Sequence, residues 1–271
     1  MDNPPIGILS RNRAAYLDVT LRSLSATVLP AGVSVRVFDD ASDDRATLGY
    51  YNTTESIGLT YAWPVDNKWA SRGFAVLPAG RTLRRGVADR VTVVRAGASR
   101  GVVAASCDAV RQLFAGTDAA GVFLLQDDVL FNTDWYSRML NTVSRSQEFT
   151  DRPIGVLAGI KLNHTLHAVA GQIAIPSGIT AQCLYISRQA FDSVPFLAQP
   201  PNVKQRFDDL LRKNVERAGM WGGVIYPFVC QHIGVKSLVR PHKRWAVGST
   251  VRVGLYSIPP YAMTDEVRQW K

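Results

Sequence analysis

The stretch Gly121-Val-Phe-Leu-Leu-Gln-Asp-Asp128 decides the fold: an apolar run ends, after one amide, in two adjacent aspartates. A short continuous apolar run of this kind reads as a strand in a sheet covered on both faces. Its neighbours agree. Gly101–Phe114 on one side has helical spacing, and on the other Thr133–Ser146 puts Trp135, Met139, Leu140 and Val143 on one side of a helix.

The same grammar recurs outward from there. Pro5–Ser10 reads as a strand, followed by Tyr16, Leu17, Thr20, Leu21 and Leu24 at helical spacing, and Val33–Phe38 is a β-branched run that ends in Asp39 and Asp40. Val91–Arg95, Ile154–Gly159, Gln172–Ile175, Gln182–Ser187 and Val224–Val229 are strand-like, and Val203–Ala218 is a helix that stops at Gly219. Strands alternating with helices predict an α/β fold with a mixed, mainly parallel sheet flanked by helices. Leu48–Arg90 has no sustained period and is expected to be an insertion of irregular or hairpin structure.

With 271 residues, 46% of them apolar, the chain can bury a core without disulfides or structural metals, which excludes stapled mini-proteins and dominant disorder. Cys107, Cys183 and Cys230 are far apart and flanked by apolar residues, so reduced core thiols are expected. No apolar run approaches the length of a bilayer span, and the first residues lack the pattern of a secretory signal. A soluble, cytoplasmic protein is the expectation. The formal charge is +9, and 24 of the 31 basic residues are arginine, whose planar fork suits carboxylates and phosphates.

Three acidic pairs stand at strand ends or a helix start: Asp39/Asp40, Asp127/Asp128 and Asp208/Asp209. Ligands of open α/β sheets collect beyond the carboxyl ends of strands, so the first two pairs should face one crevice. Adjacent carboxylates repel unless something cationic sits against them, and a divalent ion on a diphosphate would serve. Turn and helix-cap chemistry, which also favours aspartate, is the alternative for each pair.

Taken in order, Ile6-Gly-Ile-Leu-Ser-Arg-Asn-Arg13, Val37-Phe-Asp-Asp-Ala-Ser-Asp-Asp44, Phe123-Leu-Leu-Gln-Asp-Asp-Val129, Phe207-Asp-Asp-Leu-Leu-Arg212 and Gln231-His-Ile-Gly234 resemble the landmarks of nucleotide-sugar glycosyltransferases of the GT-A fold, family 2-like. The resemblance leaves out Leu48–Arg90 and the C-terminal tail. It implies one domain over 1–271, with a donor half at 1–130 carrying the insertion 48–90 and an acceptor half with the tail at 131–271. It implies donor contacts from Ser10, Arg11, Asp39, Asp40 and Asp127, a Mn2+ or Mg2+ ion held by Asp128 and His232, and a UDP-sugar as the leading donor. Asp208 matches the catalytic base of inverting members, with Asp209 beside it as the other candidate. Two departures stand out. The metal motif reads Gln126-Asp127-Asp128, and Ser106-Cys107 replaces an Arg-Asn pair, which leaves Arg100 or Arg11 to supply a cation to the donor.

Arg240, Lys243, Arg244 and Arg252 in the acid-free stretch Lys236–Arg252 of the tail, with Arg84 and Arg85 of the insertion, form a basic set where an acceptor should dock. Such a set suits a polyanion, with hydroxylated bases in DNA as the leading acceptor. A bacterial polysaccharide or protein acceptor, with the basic face resting on anionic lipid, is the rival. A non-catalytic nucleotide- or nucleic-acid-binding protein on a transferase scaffold is the reading from another class.

Overall fold

A computed structural model describes residues 2–52, 91–148, 150–160, 166–170, 173–176, 179–199, 206–226 and 228–232. Most of the expected insertion and the whole basic tail lie outside these residues. The elements in chain order are β1 Ile6–Ser10, α1 Ala14–Ser25, β2 Val35–Asp39, α2 Arg45–Asn52, β3 Val91–Arg95, α3 Gly101–Phe114, β4 Gly121–Gln126, β5 Val129–Phe131 and α4 Trp135–Ser144. There follow β6 Ile154–Ala158, β7 Leu166–Ala170, β8 Ile173–Pro176, β9 Cys183–Ser187, α5 Arg188–Ser193, α6 Pro195–Ala198, α7 Phe207–Arg217, β10 Trp221–Ile225 and β11 Cys230–His232.

Among the described residues nine strands form one sheet in the order β3-β2-β1-β4-β9-β6-β10-β8-β7, and β11 pairs separately with β5. β1 lies parallel to both β2 and β4, β2 to β3, and β10 to β6. β9 runs antiparallel to β4 on one side and to β6 on the other, and β8 opposes β10 and β7. Most strands therefore point one way, with β9 reversed at the centre. Strands β4, β6 and β9 are buried along almost their whole lengths, which is why their sequences are nearly continuous apolar runs. The core is dense in rings: Phe123 meets Trp135, Tyr136 and Tyr185 at centroid distances of 5.0, 4.9 and 5.5 Å.

Several elements differ from expectation. α2 occupies Arg45–Asn52, so a helix enters the start of the expected insertion. Val224–Val229 was expected as a strand, but β10 covers Trp221–Ile225. Two glycines, Gly222 and Gly223, mask its apolar period, and the bulge at Trp221/Gly222 shifts its register. The helix expected at Val203–Ala218 begins at Phe207 and ends as read, with Gly219 in the left-handed region (φ 75°) closing its C-terminus. β5 and β11 are three residues each, too short to carry a period. All three cysteines are free and buried, as expected.

Candidate functional site

Parallel strands bring their carboxyl ends to one edge, and here that edge carries Ser10–Arg13 after β1, Asp39–Asp44 after β2, Arg95–Gly101 after β3 and Asp127/Asp128 after β4. The chain leaves β1 for β2 on one side and returns to β4 on the other, so β1/β4 is the topological switch point where open α/β sheets hold ligands. α7 turns directly at Gly219 into β10, which runs parallel to β6. Its N-terminus, with Asp208, therefore lies toward the same edge. The β11–β5 register sets His232 opposite Val129, one residue beyond Asp128.

The centre of this edge is a buried acidic pair on a single guanidinium. Arg13 gives Nη1 to Asp127 Oδ1 at 2.9 Å and Nη2 to Asp128 Oδ2 at 2.6 Å. Asp127 Oδ2 accepts from the Ser10 hydroxyl at 2.9 Å, and Asp128 Oδ2 also faces His232 Nε2 at 3.2 Å. That leaves Asp128 Oδ1 buried with no hydrogen-bond partner among the described residues. Burial pushes the Asp127 carboxyl up against the pull of Arg13, and the charge of Asp128 adds to the rise. Burial acts on Asp128 in the same sense, but His232 and Arg13 outweigh it and hold that carboxyl below the usual carboxylate range.

Arg13 is delivered by a locked turn. Asn12, at φ 52°, sits in the left-handed region that asparagine tolerates better than most side chains. Its backbone N–H donates to Ser42 Oγ at 2.8 Å, and its Oδ1 accepts from the backbone N–H groups of Asp43 and Asp44 at 2.9 and 3.2 Å. The Arg13 guanidinium also lies 4.3 Å from the centroid of the Tyr16 ring.

The other expected donor residues are engaged within the chain. Asp39 accepts from the Ser42 hydroxyl and, at 3.1 Å, from its N–H, an Asx turn, with Tyr51 Oη 3.2 Å and Arg95 Nε 3.4 Å away. Asp40 accepts from Ser99 Oγ at 2.8 Å and from the N–H groups of Arg100 and Gly101 at 2.9 and 3.2 Å. It thus caps α3 from a distant loop, since Arg100 at the N-cap position makes no side-chain cap bond. The Arg100 guanidinium pairs with Asp108, and that of Arg11 bonds Ser99. Ser106 and Cys107 are core residues, the Cys107 thiol donating to the Phe196 carbonyl at 3.4 Å.

Of the two base candidates Asp208 is buried, while the Asp209 side chain is 46% exposed. Arg206 grips Asp208 with Nε at 3.1 Å and Nη2 at 2.5 Å. Burial raises the Asp208 carboxyl above its ordinary value, Arg206 opposes, and Asp209 adds to the rise. Arg84, Arg85, Arg240, Lys243, Arg244 and Arg252 lie outside the described residues. Arg13 and the Asn12 latch are the residues that sequence reasoning missed. The signal was present, because two adjacent buried acids demand a cation and Arg13 closes the first landmark.

Among the described residues no cluster of three or more His, Cys, Asp or Glu side chains is arranged to hold a metal ion. Magnesium-type sites commonly use one or two carboxylates and leave the remaining positions to water and substrate phosphates. The unpaired Asp128 Oδ1 beside His232 fits such a sparse site. No described helix is long and apolar enough to cross a membrane.

No family model and no curated protein matches the chain. Solved structures do. A mannosyltransferase from Pyrobaculum calidifontis in complex with GDP-Man and Mn2+ matches at TM-score 0.51 and 14% identity, over 87% of this chain and 58% of that one. S. aureus TarS 1–349 in complex with UDP-GlcNAc matches at 0.55 and 12%, over 92% and 64%. GalNAc-T7 with UDP, GalNAc and Mn2+ matches at 0.53 and 13%, over 93% and 47%. The chain therefore spans less than two thirds of each of these structures, and at such identities the likeness is one of fold: this chain has the mixed α/β architecture of GT-A glycosyltransferases.

Proposed function

We propose that the chain is a metal-dependent glycosyltransferase that moves a sugar from a nucleotide-sugar donor to a hydroxyl acceptor. The observation that carries this reading is the unpaired, buried Oδ1 of Asp128 at the switch point of a GT-A sheet. Solved proteins of that fold bind GDP-Man, UDP-GlcNAc or UDP, two of them with Mn2+, which supports a nucleotide diphosphate sugar here. A divalent ion on Asp128 and His232 would stabilise the negative charge that builds on the leaving diphosphate. Asp208 is our candidate base. Its carboxyl, raised by burial, is a better proton acceptor than an ordinary aspartate, which suits taking the proton of an attacking hydroxyl, and Arg206 orients it. A base in direct reach of the hydroxyl implies inversion.

The donor half at 1–130 contains the switch point, and the acceptor half at 131–271 contributes α7 and His232. The three free cysteines suit a reducing, cytoplasmic setting. For the acceptor, the charge of +9 favours a polyanion such as DNA over a neutral polysaccharide. Salt-titrated duplex binding tests that point, and absence of binding at low salt ends it.

The test of the enzyme reading is a panel of nucleotide sugars with Mn2+, read as melting temperature and donor hydrolysis. One donor should raise the melting temperature, since a ligand of the native state stabilises it. Asp128→Ala should remove both the shift and the turnover. A shift without hydrolysis or transfer under any condition would instead identify a nucleotide-binding protein on a transferase scaffold.

A further inference from the structure

Two carboxylates and one guanidinium share the buried centre of the site, and their charges do not cancel. Among the described residues Asp127 and Asp128, when both are ionised, bring two negative charges against the one positive charge of Arg13. The Arg13 side chain is only 13% exposed, spans both acids with separate nitrogens, and is fixed by the Asn12 turn and by α1, which begins at Ala14. It is not a surface side chain resting on the nearest acid. Asp128 offers one free oxygen, because Arg13 and His232 both face Oδ2.

We propose that Arg13 is a resident counter-cation that makes divalent-ion binding at Asp128 conditional on a diphosphate. The inference rests on the reading of Asp128 as a metal ligand. With Arg13 in place and both acids ionised, a divalent ion alone would turn the buried centre from one net negative charge to one net positive charge, a protonated Asp127 would leave it more positive still, and an uncompensated buried charge is costly. An ion arriving with a diphosphate brings the anionic oxygens that balance it. Without Arg13 the acid pair carries two negative charges and matches a divalent ion by itself. Arg13 is thus a positioning residue: it acts on the ion through the two carboxylates, and it keeps the pair from being filled by free cations.

The experiment measures Mn2+ affinity by the electron paramagnetic resonance of the free ion, with and without UDP, for the full chain and its variants. The unaltered chain should bind Mn2+ at least about tenfold more tightly with UDP than without it. Arg13→Gln should bind Mn2+ alone at least about tenfold more tightly than the unaltered chain does, and should gain little from UDP. Arg13→Lys keeps the charge but cannot span both carboxylates, so it should fall between the two, and it carries the test if Arg13→Gln does not fold. Asp128→Asn should weaken binding in every condition. Variants of Arg13 that bind Mn2+ alone no more tightly than the unaltered chain overturn the proposal. If Arg13→Gln binds the ion alone while UDP has no effect on any chain, the counter-cation role stands and the reading of the donor as a UDP-sugar falls.

Discussion

Asp127→Asn and Asp128→Asn change adjacent residues by the same chemistry, yet they should differ in stability by about 2 kcal/mol or more. Asp128 Oδ2 takes both the 2.6 Å contact from Arg13 and the facing nitrogen of His232, so its charge is favoured in the folded state. Breaking a buried ion pair costs about 3–5 kcal/mol, and because Arg13 keeps Asp127, the lower figure of about 3 kcal/mol applies. Asp127 is the opposite case, since burial and the neighbouring charge disfavour its ionisation. An asparagine there can still accept from Ser10 or Arg13, so the substitution should cost no more than about 1 kcal/mol. Urea unfolding with chelator present reads both. The pH dependence fixes the sign. The raised Asp127 contributes stability that is complete below the ordinary aspartate value and fades as pH rises, so Asp127→Asn should gain on the unaltered chain from pH 5 to pH 8. The depressed Asp128 contributes above the ordinary value and loses its contribution only as pH falls through its lowered folded value, so the Asp128→Asn deficit should stay constant over that range. Equal losses for the two variants, or a larger one for Asp127→Asn, would refute the charge assignment.

Arg206→Ala removes the cation that holds Asp208 down, so the acid limb of a transfer rate–pH profile should move to higher pH; an unmoved limb would exclude Asp208 as the base. Asp208→Asn should lower transfer on the order of a hundredfold while nucleotide-sugar binding persists, and no loss would point to a different base. Asp40→Ala uncaps α3, and should cost about 1–2 kcal/mol while accelerating amide exchange at Arg100 and Gly101 without touching the acid pair. Gly121→Ala would drive a Cβ into the Tyr185 ring, for a loss of about 1–3 kcal/mol in urea unfolding; a neutral result would show that the β4–β9 contact is looser than described.

The strand-and-helix alternation is legible because buried parallel strands leave long apolar runs, as at Gly121–Gln126 and Ile154–Ala158. β10 hides because two of its five residues are glycine, and β11 because three residues show no period. The acidic pairs are legible as a rim, but their division of labour is not. Asp40 becomes a cap only through α3, sixty positions away in the chain, and Asp39 closes a turn on Ser42. Both effects belong to tertiary hydrogen bonding. Asp208 and Asp209 differ by one helical step, and only packing decides that Asp208 turns inward. Arg13 shows the limit most clearly: asparagine is a common occupant of the left-handed region, but the acids that the Asn12 turn aims Arg13 at lie more than a hundred positions along the chain.

The reversed strand β9 also limits how the molecule can be dissected. It pairs with Gly121–Leu125 of β4 on one side and with Val156–Ala158 of β6 on the other, so neither half of the sheet owns it. A fragment ending near residue 130 would carry the whole acid-lined rim of the first four strands yet leave Val122–Leu125, buried in the intact chain, along a bare edge. Such an edge recruits other chains. The minimal fragment that keeps this rim folded must therefore include β9, and a split version of this protein should recover its fold only when both pieces are expressed together.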